Sequence, residues 1–312
     1  RGEVSFPAGM VGDFVILRSN GLPTYNFAAA VDDSLMGITH VIRGGEHLAN
    51  TLRQVMIYEA LSMEMPVFAH IPLILGSDGS KLSKRHGAPN IRDYRDKGYP
   101  PEALVNYLAF LGWATRGESE ILSPVQLIEE FELDRVSDSP STFDDAKLNW
   151  VSANHIRAGG ADGFFEAAKR FFPDKMRESY DDEALREIFE IIADNLPAFS
   201  MIPAEAAPFM PGVPVYGEEG TAVMAGAGRV LEAFADAFAS VGGWDPDSIR
   251  GAIKAVGKEC GVKGKDLYMP LRIAVTGASH GPDLTSIIRI RGREETVSVL
   301  RAAASGGLPG KG

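Results

Sequence analysis

The chain has 312 residues, of which 45% are hydrophobic and 23% charged, and its formal net charge at pH 7 is -11. That length supports two or three domains with cores of their own, and the composition is that of an ordinary globular protein. No apolar run is long enough to span a bilayer, so no membrane association is expected, and no amino-terminal targeting segment is visible. The acidic balance excludes a surface uniformly suited to nucleic acid, yet the charge is segregated. Six Lys or Arg face three acids from Gly76 to Lys97, and ten face five from Arg250 to Arg301, whereas five face thirteen from Ala161 to Gly220. The single cysteine, Cys260, excludes an internal disulfide and a cysteine zinc site, which makes a reducing, cytoplasmic setting the expectation. Six scattered histidines lack metal-ligand spacing, so neither zinc nor another resident metal is predicted.

Along the chain, Phe14 to Arg18 reads as a strand and Ser19-Asn20-Gly21 as a tight turn. Ala28 to Val31 belongs to a helix that stops near Gly37. Thr39 to Arg43 is a short apolar strand ending on an arginine, followed by Gly44-Gly45 and a helix in which Leu48, Leu52, Val55, Met56 and Ala60 share a face. Strand, glycine turn, helix and the next strand, Ile71 to Leu75, make an α/β unit with parallel pairing. That strand leads into Ser77-Asp78-Gly79-Ser80-Lys81-Leu82-Ser83-Lys84-Arg85-His86-Gly87. Glycines and serines let this backbone bend towards a ligand, and Lys81, Lys84 and Arg85 supply the charge to hold polyphosphate. A solvated basic turn is the competing reading of the local pattern. In open α/β sheets ligands gather beyond the carboxyl ends of strands, where Arg43 and this loop both fall.

After the loop the pattern turns helical. Pro101 opens a helix with Leu104, Tyr107, Leu108 and Leu111 in one stripe, ended by Gly112. Ser123-Pro124-Val125-Gln126 has the form of a capping box, with Leu127, Ile128 and Phe131 facing inward. Ser141 to Asp145 introduces a short helix through Lys147, Leu148 and Trp150, the last read from its bulk as a core anchor. From Ala161 onward a bundle is predicted: Leu185, Ile188, Phe189, Ile192 and Leu196 line one helix, Val230, Leu231, Phe234, Phe238 and Val241 a second, and Ile249, Ile253, Val256 and Cys260 a third capped by Asp245-Pro246. Pro197 to Gly220 reads as a connection, and the glycine-rich tail from Ser305 is expected to fray.

Three segments together resemble the bacterial glutamyl-tRNA synthetases, a class I aminoacyl-tRNA synthetase family. They are Pro23-Thr24-Tyr25-Asn26-Phe27 with Val31-Asp32-Asp33, then Gly37-Ile38-Thr39-His40-Val41-Ile42-Arg43-Gly44, then Lys81-Leu82-Ser83-Lys84-Arg85-His86-Gly87. Gly98-Tyr99, Leu111-Gly112-Trp113, Phe143-Asp144 with Lys147-Leu148 and Trp150, and Pro270-Leu271-Arg272 with Gly281-Pro282-Asp283-Leu284 continue the likeness. The resemblance implies a multidomain chain: residues 1–92 as the second half of a partial Rossmann-like catalytic domain, 93–160 as a helical stem-contact domain, and 161–312 as an all-α anticodon-binding domain. It implies ATP-dependent attachment of glutamate to tRNA(Glu) through glutamyl-adenylate, with Mg2+ accompanying ATP and a monomer expected.

By the same resemblance, Lys81, Ser83 and Lys84 would be catalytic, and Leu82, Arg85, Glu46 and His47 would join Lys81, Ser83 and Lys84 around ATP. Tyr25 and Arg43 would hold glutamate, and Trp150, Lys147 and Arg272 would touch tRNA. Gly45 stands where the family usually has an acid, Ala29 where some members have an asparagine, and residues 192–195 carry no arginine where anticodon-selective members often do. The family's first nucleotide-binding half, with its His-Ile-Gly-His-like motif, has no counterpart here. The chain is therefore expected to be the carboxyl-terminal two-thirds of such an enzyme and inactive alone. The alternatives are a non-catalytic tRNA-binding module and an enzyme that also charges tRNA(Gln).

Overall fold

The computed structural model describes residues 4–7, 9–82 and 90–305. The chain divides into two compact units, one formed by residues 1–90 and 102–148, the other by 91–101 and 149–312. Among the described residues no helix is long and apolar enough to cross a membrane.

The first unit begins without the expected strand. Residues 14–18 make an isolated antiparallel bridge, Leu17 to Pro23, around the turn at Ser19-Asn20-Gly21, and among the described residues no neighbouring strand extends the ladder. Helix α1 (Tyr25–Leu35) ends at Gly37, whose φ of 68° a residue with a side chain would resist. Strand β1 (His40–Gly44) leads through a 3-10 turn, Gly45–His47, into α2 (Leu48–Ala60), and β2 (Val67–Ile71) returns parallel to β1. The buried sector of α2 is Gln54, Ile57 and Tyr58, whereas Met56 of the expected apolar face is exposed. Ile57 and Tyr58 pack with Ala30, and Phe14, Phe27, Met63 and Phe68 close around them. The predicted strand 71–75 is interrupted, since Pro72 lacks the N–H a ladder needs, and resumes as β3 (Ile74–Leu75).

Further strand structure follows where helix alone was expected: β4 (Ser141–Thr142) pairs parallel with β3, and the Phe143 amide donates to the Leu75 carbonyl at 2.8 Å. Tyr107, on α4 (Pro101–Ala109), pins that segment, its hydroxyl donating to Asp144 O at 3.0 Å and accepting from Asp144 N at 2.7 Å. Preceding α4 in sequence is α3 (Ile91–Lys97), which belongs to the second unit. The capping box of α5 (Pro124–Glu130) is present in full between Ser123 and Gln126. Of its predicted inward residues Leu127 is buried, beside Trp113 and Leu122, while Ile128 and Phe131 are exposed. One turn of buried contact fixes a seven-residue helix, leaving the flanking positions to solvent.

Among its described residues the second unit is built of helices and the turns that join them. Helix α6 (Asp145–Ala168) runs on well beyond the short helix expected, kinked at Gly160, and Trp150 on it is 45% exposed rather than a core anchor. It is followed by α7 (Asp174–Ser179), α8 (Asp182–Ile192), α9 (Ile202–Glu205), α10 (Glu218–Met224), α11 (Gly228–Ser240), α12 (Pro246–Cys260), α13 (Lys265–Thr276), α14 (Leu284–Arg291) and α15 (Arg293–Ala304). The stripes predicted for α8, α11 and α12 supply its core, including Leu185, Ile188, Phe189, Leu231, Phe234, Phe238, Ile249 and Ile253. The stretch 197–220 is part of that core too, through Phe199, Ile202, Ala206 and Phe209, because its alanines and prolines let short helical turns pass close to one another. The tail from 306 lies outside the described residues.

Candidate functional site

Strand pairing decides what Arg43 meets. In the β1–β2 register Arg43 lies opposite His70 and Val41 opposite Phe68, and the two-residue period puts these side chains on one face of the pair. Helix α2 brings Thr51 and Gln54, three residues apart, to the arginine. Arg43 Nη2 donates to Thr51 Oγ1 and to Gln54 Oε1, both at 2.7 Å, while the guanidinium lies 5.5 Å from the centre of the Phe68 ring. Thr51 Oγ1 is also 2.8 Å from His70 Nε2 and 3.2 Å from the His47 carbonyl. Among the described residues no carboxylate pairs with Arg43.

The polar loop is organised from below. Asp78 Oδ1 accepts from the Ser80 amide at 3.0 Å, both Asp78 carboxylate oxygens accept from the Ser80 hydroxyl, and the Gly76 amide donates to the Ser80 carbonyl at 2.8 Å. This tight turn folds the chain back so that Lys81 bridges to Leu75 and the Leu82 amide reaches the Ile74 carbonyl at 2.9 Å. Lys81 Nζ thereby lands 2.7 Å from Glu46 Oε1. The hydrogen bond from Lys81, helped by the backbone of Glu46, holds the Glu46 carboxyl below the usual carboxylate range. Both partners are substantially exposed, at 59% and 37% of their side chains. A cavity of about 480 Å³ adjoins them, lined by apolar residues including Ile42, Ile71, Leu73, Ile74, Leu82 and Trp113.

Of the residues singled out from sequence, Arg43, Glu46, His47, Lys81 and Leu82 thus fall in one neighbourhood, and Tyr25, at the start of α1, has its ring 6.3 Å from that of His47. Ser83, Lys84 and Arg85 lie outside the described residues. Lys147 is ion-paired with Glu120. Arg272, on α13, donates from Nη1 to the Pro282 carbonyl at 3.0 Å, and burial lowers its affinity for a proton while Asp283 opposes that effect. Arg157 of α6 bonds to the side chain and the carbonyl of Asp194, within the stretch that has no arginine of its own. The sequence reading missed Thr51, Gln54 and His70; the available signal was polar residues on the α2 sector facing the sheet. Among the described residues no cluster of three or more His, Cys, Asp or Glu side chains could hold a metal ion.

Residues 1–150 match the family described as tRNA synthetases class I (E and Q), catalytic domain, and residues 163–304 match an anticodon binding domain. The first part of the chain is thus a class I tRNA synthetase catalytic domain of the glutamate and glutamine group, and the helical part is an anticodon binding domain. Its relatives are glutamate–tRNA ligases. That of Carboxydothermus hydrogenoformans is 45% identical over 302 residues, covering 95% of this chain and 63% of the relative, and that of Fervidobacterium nodosum is 42% identical over 300 residues, covering 95% and 62%. The chain therefore spans a little under two-thirds of the length of these relatives. The crystal structure of a glutamate tRNA ligase from Elizabethkingia meningosepticum in complex with its amino acid superposes with a TM-score of 0.85 at 28% identity, covering 95% of this chain and 62% of that one.

Proposed function

We propose that the protein carrying this chain is a glutamate–tRNA ligase, which joins glutamate to ATP as glutamyl-adenylate and passes the glutamyl group to the terminal adenosine of tRNA. The observation that carries the reading is a juxtaposition: Arg43 and Glu46 sit three residues apart at the end of β1, the first hydrogen-bonded to two neutral oxygens and the second paired with Lys81 of the loop. An arginine that no carboxylate among the described residues pairs with is suited to a substrate carboxylate, and Tyr25 stands at the same end of the unit. An exposed ion pair contributes only about 0–1 kcal/mol, so Lys81 can leave Glu46 for a polyphosphate oxygen at little cost. The cavity beside that ion pair offers the apolar walls on which a purine base could rest.

In this assignment Lys81, Ser83 and Lys84 stabilise charge as pyrophosphate departs, and Leu82, Arg85, Glu46 and His47 complete the surroundings of ATP. Adenylate formation needs no protein nucleophile: the glutamate carboxylate attacks the α-phosphorus, the bond to the β-phosphate oxygen breaks, and positioning with charge stabilisation carries the step. Mg2+ enters as part of the nucleotide substrate. Trp150, Lys147 and Arg272 are assigned to tRNA contact, residues 93–160 to stem contact, and 161–312 to anticodon binding. The test is glutamate-dependent ATP–pyrophosphate exchange by the full gene product with tRNA present, together with transfer to tRNA(Glu) and to tRNA(Gln). Exchange with glutamate and charging of tRNA(Glu) are expected, and tRNA binding without exchange would establish the non-catalytic reading instead.

A further inference from the structure

Gln54 is a costly residue at its position. Its side chain is 2% exposed on the sector of α2 that otherwise buries Ile57 and Tyr58, and among the described residues its enclosed Nε2 finds no hydrogen-bond partner. A leucine or methionine would fill the space without leaving a buried amide group unsatisfied. What Gln54 gains is a single bond, Oε1 accepting from Arg43 Nη2 at 2.7 Å, and the amide can point only this way because the reverse would set two donors against each other. Thr51 Oγ1 takes a second bond from the same nitrogen at 2.7 Å, so both hydrogens of Nη2 are committed and the plane of the guanidinium is fixed. Arg43 Nε is enclosed with no partner among the described residues, so the side chain is seated by these two oxygens rather than by full satisfaction of its donors. Both oxygens are neutral, so Arg43 is held without its charge being cancelled.

We propose that Gln54 and Thr51 are positioning residues that orient Arg43 for a ligand carboxylate, and that the absence of charge at position 54 is what keeps Arg43 available to an acidic amino acid. This rests on the ligase reading above. A carboxylate at position 54 would have the same shape and would pair with Arg43 internally, competing with the substrate for it.

Kinetics of the full gene product decide the matter. Gln54→Glu is expected to raise the KM for glutamate in pyrophosphate exchange by about ten- to a hundredfold, as for loss of a hydrogen-bonded charge contact. The KM for ATP and the thermal midpoint should stay where they were, because packing is preserved. Thr51→Val should raise the glutamate KM several-fold, and Thr51→Ser, which keeps the hydroxyl, should restore it. An unchanged glutamate KM in Gln54→Glu overturns the proposal, as does a parallel rise for glutamate and ATP with a lowered midpoint, which is the signature of a merely structural residue. Equal behaviour of Thr51→Val and Thr51→Ser removes Thr51 from it. Failure of the unsubstituted protein to exchange with glutamate would overturn the ligase reading and this proposal together, and is distinguished by appearing before any variant is compared.

Discussion

Arg43 is seated by Thr51 and Gln54, and these surroundings predict a defect that falls on one substrate. Arg43→Ala in the full gene product should weaken glutamate by about 2–5 kcal/mol and leave ATP nearly untouched, as for removal of one partner of a desolvated charge pair. Arg43→Lys should not rescue it, since one ammonium cannot meet Thr51 and Gln54 with the same planar geometry. Equal loss of ATP and glutamate affinity would argue that Arg43 is structural. Lys84→Ala is expected to slow adenylate formation by roughly two to three orders of magnitude with little change in stability, the effect of losing one transition-state donor; unchanged pyrophosphate exchange would remove the loop from the mechanism. The Lys81–Glu46 contact should persist on mild acidification, because the Glu46 carboxyl titrates below its ordinary range, and should be lost only as pH falls through that lowered value. In the second unit Tyr180 gives the opposite dependence. Its hydroxyl donates to the Phe209 carbonyl at 2.7 Å, and burial pushes its pKa up to about 12 from 10.0. The folded state therefore favours the neutral phenol, a contribution complete below pH 10 and lost as pH rises towards 12. Unfolding measured against alkaline pH should show this decline flattened in Tyr180→Phe, and an unaltered slope would assign it to other groups.

At the scale of elements, two glycines decide how helices join in the second unit. Gly98 follows α3 with φ of 78°, its carbonyl accepts from the Phe199 amide at 3.2 Å, and a Cβ there would come within 2.7 Å of Phe199 Cβ and 2.8 Å of Phe171 Cζ. Gly98→Ala combines a left-handed backbone penalty with overpacking and should lower stability by about 2–4 kcal/mol, read as a reduced midpoint in thermal unfolding. A midpoint within error of the parent would show that α3 is held by other contacts. Gly160 breaks α6 with φ 52° and ψ -157°, and Glu190 Oε1 accepts from the next amide, Ala161 N, at 2.6 Å, so a side chain on α8 caps the restarted helix. Arg291, from the end of α14, closes the same unit: its buried guanidinium donates to the carbonyls of Met210, Val275 and Gly212 and to Glu295. Replacing it with methionine leaves four acceptors without that donor and should cost about 3 kcal/mol or more. A calorimetric midpoint equal to that of the parent would show that those groups find other partners.

For the whole molecule, segregation of charge matters more than its sum. Basic side chains concentrate between residues 250 and 301 although the chain is acidic overall, so tRNA affinity should come chiefly from phosphate contacts. With about six such contacts, raising salt from roughly 50 to 200 mM should weaken binding about a thousandfold. A titration whose affinity is indifferent to salt would contradict that account.

The sequence by itself determined the succession of strand, glycine turn, helix and polar loop, the stripes of α8, α11 and α12, the capping box at Ser123 and the family likeness. All but the likeness, which rests on motifs spread along the chain, are local patterns fixed by side-chain period or turn chemistry within a few residues. Tertiary structure alone decided that Gln54 rather than Met56 faces inward on α2, that Trp150 is exposed, that residues 141–142 pair with β3, and that 91–101 join the helical unit through Gly98. It alone joined Arg43 to Thr51, Gln54 and His70, and Glu46 to Lys81 across thirty-five positions. The physical reason is common to all of these: each depends on which distant surface arrives against an element, and a polar residue on a buried sector carries no periodic mark until the partner that satisfies it is in place.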